Sequence, residues 1–173
     1  VWWLANRLGK HVTLRLALLW MFIGSLLKWW CYNPRHPYLM FVLPFFYSIG
    51  ISSVFVLIAS MNVDVIDTDE LRTGRRREAM FSGFGNWIGK LAGSLAVALS
   101  GWLIRWTGFD PLLGGGQTES TIFKMRFFYS FAMAFMILLA LVSTWGYDLT
   151  AHRMAEIRAE LEKRRGKAAP PTS

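Results

Sequence analysis

Four stretches of this chain, roughly 12–30, 38–61, 80–107 and 125–147, are apolar for the ~20 residues a helix needs to cross a bilayer. No water in the hydrocarbon satisfies backbone N–H and C=O groups, so each stretch must bond internally as a helix. The fold this implies is an all-α polytopic membrane helix bundle. Composition agrees, since 54% of the 173 positions are hydrophobic and only 17% are charged. The nine Trp and thirteen Phe suit lipid contact and interfacial anchoring. Pro34 and Pro37 punctuate the first connection, and Asp110-Pro111 with Gly114-Gly115-Gly116 marks the third. Pro44 and Gly50 predict a bend in the second span, where neighbouring helices can satisfy the freed backbone groups.

A net charge of +8 and pI near 10.1 could point to nucleic acid. The distribution excludes it, because the basic residues lie in short clusters between apolar runs rather than along one face. Those clusters set an orientation instead. Arg7, Lys10, Arg15, Arg72, Arg75, Arg76, Arg77, Arg153, Arg158, Lys163, Arg164, Arg165 and Lys167 fall on one side. Only Lys28, Arg35, Arg105, Lys124 and Arg126 fall on the other, thirteen against five. Both termini are therefore expected on the cytoplasmic side of the inner (cytoplasmic) membrane. Cys31 stands alone, so neither an internal disulfide nor a cysteine-based metal site is available. His11, His36 and His152 are too scattered for a ligand set, and no carboxylate pair at membrane depth or nucleophile–base spacing suggests an enzyme. No cofactor is implied. No signal peptide is visible. The opening VWWLA reads as the end of an apolar helix, and the expectation is a C-terminal piece of a longer membrane protein.

Between the second and third spans runs a charged segment, Asp64 to Glu78, expected as a connecting loop. Asp64 and Asp67, three residues apart, can share one helix face and pair with Arg72 or with Arg75, Arg76 and Arg77 to help close the inner side. In the third span Ser82, Asn86, Lys90 and Ser94 recur every four residues and form a polar stripe. Gly85, Gly89 and Gly93 form a second stripe that permits close approach of another helix. Lys90 lies about ten residues from the cytoplasmic end, about 15 Å deep at 1.5 Å per residue. A lysine there costs on the order of 2.5–3.5 kcal/mol unless paired or hydrated. All eleven acidic residues lie outside the spans. The partner must then come from further chain, another subunit, water or substrate. Snorkelling to the interface, the role expected for Lys28 beside Trp29 and Trp30, is out of reach for a side chain of roughly 6 Å at that depth.

After the fourth span, residues 148–166 read as a short amphipathic cytoplasmic helix. Met154, Ile157 and Leu161 fall on one side, and Gly166 is placed to end it. The remaining KAAPPTS is expected as a disordered end.

These residues also match a pattern. Met61-Asn62-Val63-Asp64-Val65-Ile66-Asp67, Glu70, Thr73-Gly74-Arg75-Arg76-Arg77-Glu78 and Lys90-Leu91 resemble the segment between helices ten and eleven of the glycoside–pentoside–hexuronide:cation symporters. That family belongs to the major facilitator superfamily. Leu4-Ala5-Asn6-Arg7-Leu8-Gly9-Lys10 looks like its basic loop between helices eight and nine, and Tyr147-Asp148-Leu149 with Ile157-Arg158-Ala159-Glu160-Leu161 looks like its tail. The resemblance covers essentially the whole chain and implies four helices of the C-terminal half of a twelve-helix transporter. It further implies a sugar or glycoside substrate, co-transported Na⁺ or H⁺, and cation-binding carboxylates in the N-terminal part of the same protein. Lys90 then aligns near the sugar and cation sites, and Phe55 aligns with an aromatic position that can stack on sugar.

Transport by a secondary symporter is thus the leading expectation, with membrane lipid and the rest of the transporter as partners. A four-span structural or assembly subunit using the glycine stripe is the alternative, and Lys90 counts against it. The charge bias predicts that reporter fusions at Gly115 and Ser173 report opposite sides of the membrane. The same side for both would exclude the four-span topology.

Overall fold

The computed structural model describes residues 2–33, 36–146 and 151–168. Among them lie six helices and no strand: α1 (Trp2–Leu8), α2 (Lys10–Cys31), α3 (Leu43–Thr73), α4 (Glu78–Thr107), α5 (Glu119–Ser143) and α6 (Ala151–Ala168). The 3-10 turn of the first connection, Pro37–Val42, runs directly into α3. Helices α2, α3, α4 and α5 are each long and apolar enough to cross a membrane, the number that the apolar runs predict. Pro34, the segment Tyr147-Asp148-Leu149 and all but the first two residues of the KAAPPTS end lie outside the described residues.

The expected loop at Asp64 is instead helix. No Gly or Pro interrupts the chain between Ile51 and Thr73, so nothing stops α3 where its apolar run ends. Its 31 residues make it about 46 Å long, against ~30 Å of hydrocarbon. The excess carries Asp64, Asp67, Asp69, Glu70 and Arg72 out on a rigid arm. The arm stops at Gly74, whose φ of 68° is left-handed and whose N–H bonds the Glu70 carbonyl at 2.8 Å. The real connection to α4 is four residues long, Gly74 to Arg77.

Helices α2, α3 and α5 share a core of Leu14, Leu18 and Met21 from the first, Leu57 and Met61 from the second and Ile137 from the third. Two buried hydroxyls of α2 and α3 return to their own helices. Ser25 bonds the Phe22 carbonyl at 2.7 Å and Ser53 the Ile49 carbonyl at 2.6 Å, so neither leaves an unsatisfied group in an apolar setting. Arg15 of α2 reaches the end of α5 and donates to the Thr144 carbonyl at 2.9 Å. A separate small cluster, Met154, Ile157 and Leu161 against Leu71, fixes α6 on the protruding arm of α3. The amphipathic tail expected from the sequence is therefore a docked helix, and it runs past Gly166 to Ala168.

Helix α4 differs from its neighbours. Of its 30 residues only Thr107, the last, is buried. The glycine stripe has no close partner among the described residues: a methyl group added at Gly85, Gly89 or Gly93 would meet nothing within 4 Å. Close approach occurs instead between α2 and α3, where a Cβ on Gly24 would lie 2.6 Å from Phe46 Cβ and one on Gly50 would collide with Met21. Gly50 thus serves packing in the span where it was expected to serve a bend.

This contrast is measurable in the purified chain in detergent. Gly24→Ala should lower stability by about 1–3 kcal/mol, the usual cost of overpacking. Gly89→Ala should be neutral or should gain up to about 1 kcal/mol from helix propensity. Equal melting shifts for the two would contradict the packing described.

Candidate functional site

The protruding arm of α3 gathers most of the charge. Asp64 is 1% exposed, although it stands where the helix has left its apolar run. Burial of a carboxylate is tolerable only with cations and donors in contact. Two reach it: Lys10 Nζ, from the first residue of α2, lies 2.6 Å from Oδ2, and Arg158 Nη2, from α6, lies 2.8 Å from Oδ1. Lys10 Nζ also approaches the Ser60 carbonyl at 3.5 Å. One turn on, Asp67 meets Arg158 Nε at 3.6 Å and Arg76 at 3.7 Å. Arg76 bridges onward to Glu70 at 3.3 Å and Glu78 at 3.0 Å. The hydrogen bond from Arg76 to Glu78 is the main influence holding its guanidinium above the ordinary arginine value, with Glu70 adding to it. Arg77 makes a two-point contact with Asp69, at 2.6 and 2.9 Å.

The expected pairing of Asp64 and Asp67 with Arg72, Arg75, Arg76 or Arg77 is therefore corrected in most of its parts. Asp67 does meet Arg76, but Asp64 is taken by Lys10 and Arg158, and Arg77 by Asp69. Arg72 and Arg75 form no ion pair among the described residues. Arg72 stands five residues from Asp67, about 140° around the helix at 100° per residue, so it faces away. Arg75 follows the left-handed turn at Gly74 and is exposed.

The second region is α4. Ser82, Asn86, Lys90 and Ser94 are all exposed, and no hydrogen bond or ion pair engages Asn86 or Lys90 among the described residues. Phe55 on α3 is 73% exposed and makes no ring contact there. Among the described residues no hydrogen bond, ion pair or ring contact joins Phe55, Asn86 and Lys90. Between α3 and α4, a cleft of about 350 Å³ is lined by Leu14, Ile58, Met61, Asn62, Val65, Phe81 and Gly85. Its walls are apolar except for Asn62, and Asn86 adjoins it in sequence. No group of His, Cys, Asp and Glu among the described residues could hold a metal ion.

Lys28 was expected to snorkel to the interface. It is instead 4% exposed, enclosed by α2, α3 and α5. Its Nζ lies 4.2 Å from the Tyr129 ring centroid, 4.6 Å from that of Tyr47 and 3.1 Å from Met133 Sδ. Ring faces take the place of a carboxylate here, an attraction that strengthens when water is excluded. Tyr32, one turn after Lys28, places its hydroxyl 3.4 Å from that of Tyr129. Tyr47 and Tyr129 come from other helices, out of reach of spacing along α2. Lys10 and Arg158 escaped for the same reason, because their partner lies 54 and 94 residues away.

Four helices long and apolar enough to cross a membrane, with the polar residues of α4 on an uncovered face, define a multi-pass membrane protein. The chain belongs to the MFS/sugar transport protein family, whose profile matches residues 1–151. It is 32% identical over 166 residues to an uncharacterized symporter of Synechocystis sp.. That match covers 93% of this chain and 30% of the relative, so the chain spans less than a third of the relative's length. No solved structure matches it.

The geometry around Asp64 predicts an asymmetry. Lys10→Met leaves a buried carboxylate short of a partner and should destabilise by on the order of 3 kcal/mol. Asp64→Asn leaves two cations that can turn to water, and should cost about 1 kcal/mol or less. Chemical unfolding in detergent would measure both, and the reverse order would contradict the role of Lys10.

Proposed function

We propose that this chain forms part of a secondary transporter that couples a sugar or glycoside to Na⁺ or H⁺ across the cytoplasmic membrane, with both its termini cytoplasmic. The observation that carries the reading is the uncovered polar face of α4. A lysine about 15 Å into the membrane, with no carboxylate beside it, is costly unless it faces water, substrate or a carboxylate from elsewhere. In the proposal, the remaining helices of the same transporter cover the Gly85, Gly89 and Gly93 stripe. They also supply the acidic cation site that no membrane-depth residue of this chain provides. Family membership supports transport rather than catalysis, and the relative described as a symporter supports coupling to an ion.

Roles follow from side-chain chemistry. Lys90 would position the coupling network through its charge. Asn86, one turn away, would hydrogen-bond substrate or water with an amide that both donates and accepts. Phe55, exposed on α3, would stack on a sugar face. Asp64 with Lys10 would hold the cytoplasmic ends of α2 and α3 together when that side is closed, while Arg158 ties in α6 and Arg76, on Asp67, ties in the turn before α4. Arg72 and Arg75, at the same end, would add positive charge to this gate without an ion pair among the described residues. Bundles that rock around a midplane site need such breakable end contacts.

In the transporter that contains this chain, Lys90→Leu should insert normally, since the desolvation cost is removed. It should lose ion-driven accumulation of substrate. Arginine should not restore it, because a planar fork does not reproduce a compact ammonium. Uptake into membrane vesicles under an imposed ion gradient tests this, and accumulation at the wild-type level by Lys90→Leu would remove Lys90 from the site.

A further inference from the structure

The contact that fixes α6 has two unequal parts. The apolar part is narrow: Met154, Ile157 and Leu161 are 5%, 7% and 4% exposed, and they form with Leu71 a cluster separate from the main core. The described side chains on its other sides, His152, Glu156, Glu160, Glu162 and Lys163 among them, are exposed. The polar part lies on the α3 side. Arg158 extends a guanidinium whose side chain is 52% exposed onto the buried Asp64 and onto Asp67, while Arg164 donates to the Leu71 carbonyl at 2.9 Å. That carbonyl belongs to the last turn of α3, where helices leave acceptors without intrahelical donors.

We infer that α6 is an ion-latched strap: its apolar face seats on the last turns of α3, and Arg158 locks it there by closing on Asp64 and Asp67. The lock is coupled to the junction of α2 and α3 because all three helices share one carboxylate. With α6 seated, Asp64 has two cations; with α6 lifted, it has Lys10 alone. Removing Lys10 therefore makes seating of α6 matter more to Asp64, and removing Arg158 places the whole burden on Lys10. Two contacts on one buried group bias each other reciprocally in this way. Arg158 acts as a positioning residue, and its reach from the water side makes the latch open to salt, which an apolar seat would resist.

The strap rests on packing and ion pairs alone, so its failure and that of the transport reading are distinguishable: hydrogen exchange reads the strap without a transport assay. The experiment is backbone amide exchange, followed by mass spectrometry, on the purified protein carrying this chain. In wild type, raising salt to about 1 M should accelerate exchange in α6 severalfold while leaving the α2–α3 core unchanged. Arg158→Met should accelerate α6 by on the order of tenfold or more and abolish that salt response. Arg158→Lys should fall between, keeping the salt response with weaker protection. Exchange of α6 within twofold of wild type in Arg158→Met would overturn the latch. So would a salt response equal in wild type and Arg158→Met. If Arg158→Met does not fold, the wild-type titration decides by itself: α6 exchange indifferent to salt leaves only an apolar seat and overturns the proposal.

Discussion

A carboxylate shut away from water has to be met by positive charge, and at Asp64 that requirement organises one whole end of the molecule. Lys10 meets it from the start of α2, Arg158 meets it from α6, and the residue itself lies on α3. Each cation costs little to hydrate where it stands, since both side chains are partly exposed, whereas the carboxylate is not. The dependence therefore runs one way, from the acid to its cations. The register of α2 against α3, and the seat of α6, follow from where those two cations can reach.

The opposite end solves a related problem without acids. Lys28 is buried like Asp64, at 4% against 1% exposed, yet its neighbours are the faces of Tyr47 and Tyr129 and the sulfur of Met133. Both solutions tie α2 to two other helices, one through formal charge and one through ring quadrupoles. Between them lies the aliphatic core of Leu14, Leu18, Met21, Leu57, Met61 and Ile137. Helices α2, α3 and α5 are thereby joined along their length. Helix α4 has no comparable tie, and its serines, asparagine, lysine and glycines stay uncovered. A helix with that much polarity at membrane depth is complete only against further protein or water.

Some of this was legible in the residues and some was not, for identifiable reasons. Four spans follow from the length of the apolar runs, because the hydrocarbon leaves no alternative to a helix. The apolar stripe Met154, Ile157 and Leu161 was legible from its spacing, but not the surface it covers. The continuation of α3 to Thr73 was obscured because a charge-rich segment after an apolar run looks like a loop. Only the lack of Gly and Pro before Gly74 hinted otherwise. The small-residue pattern misled about packing: the regular glycines of α4 stand open, while the isolated Gly24 and Gly50 admit Phe46 and Met21. Spacing along one helix says which residues share a face, never which face meets a neighbour.

The sequence by itself determined what depends on local chemistry and on the bilayer. This includes the number of spans, the shared face of Asp64 and Asp67, and the stripe that carries Asn86 and Lys90. Tertiary structure decided the partners. It gave Asp64 to Lys10 and Arg158 rather than to the arginines next to it in sequence. It enclosed Lys28 between rings from α3 and α5, and it left α4 uncovered. The physical reason is range. Helix formation and capping act over about four residues, whereas an ion pair or a ring contact forms between whatever groups the packed helices bring within a few ångströms of each other, however far apart they lie along the chain.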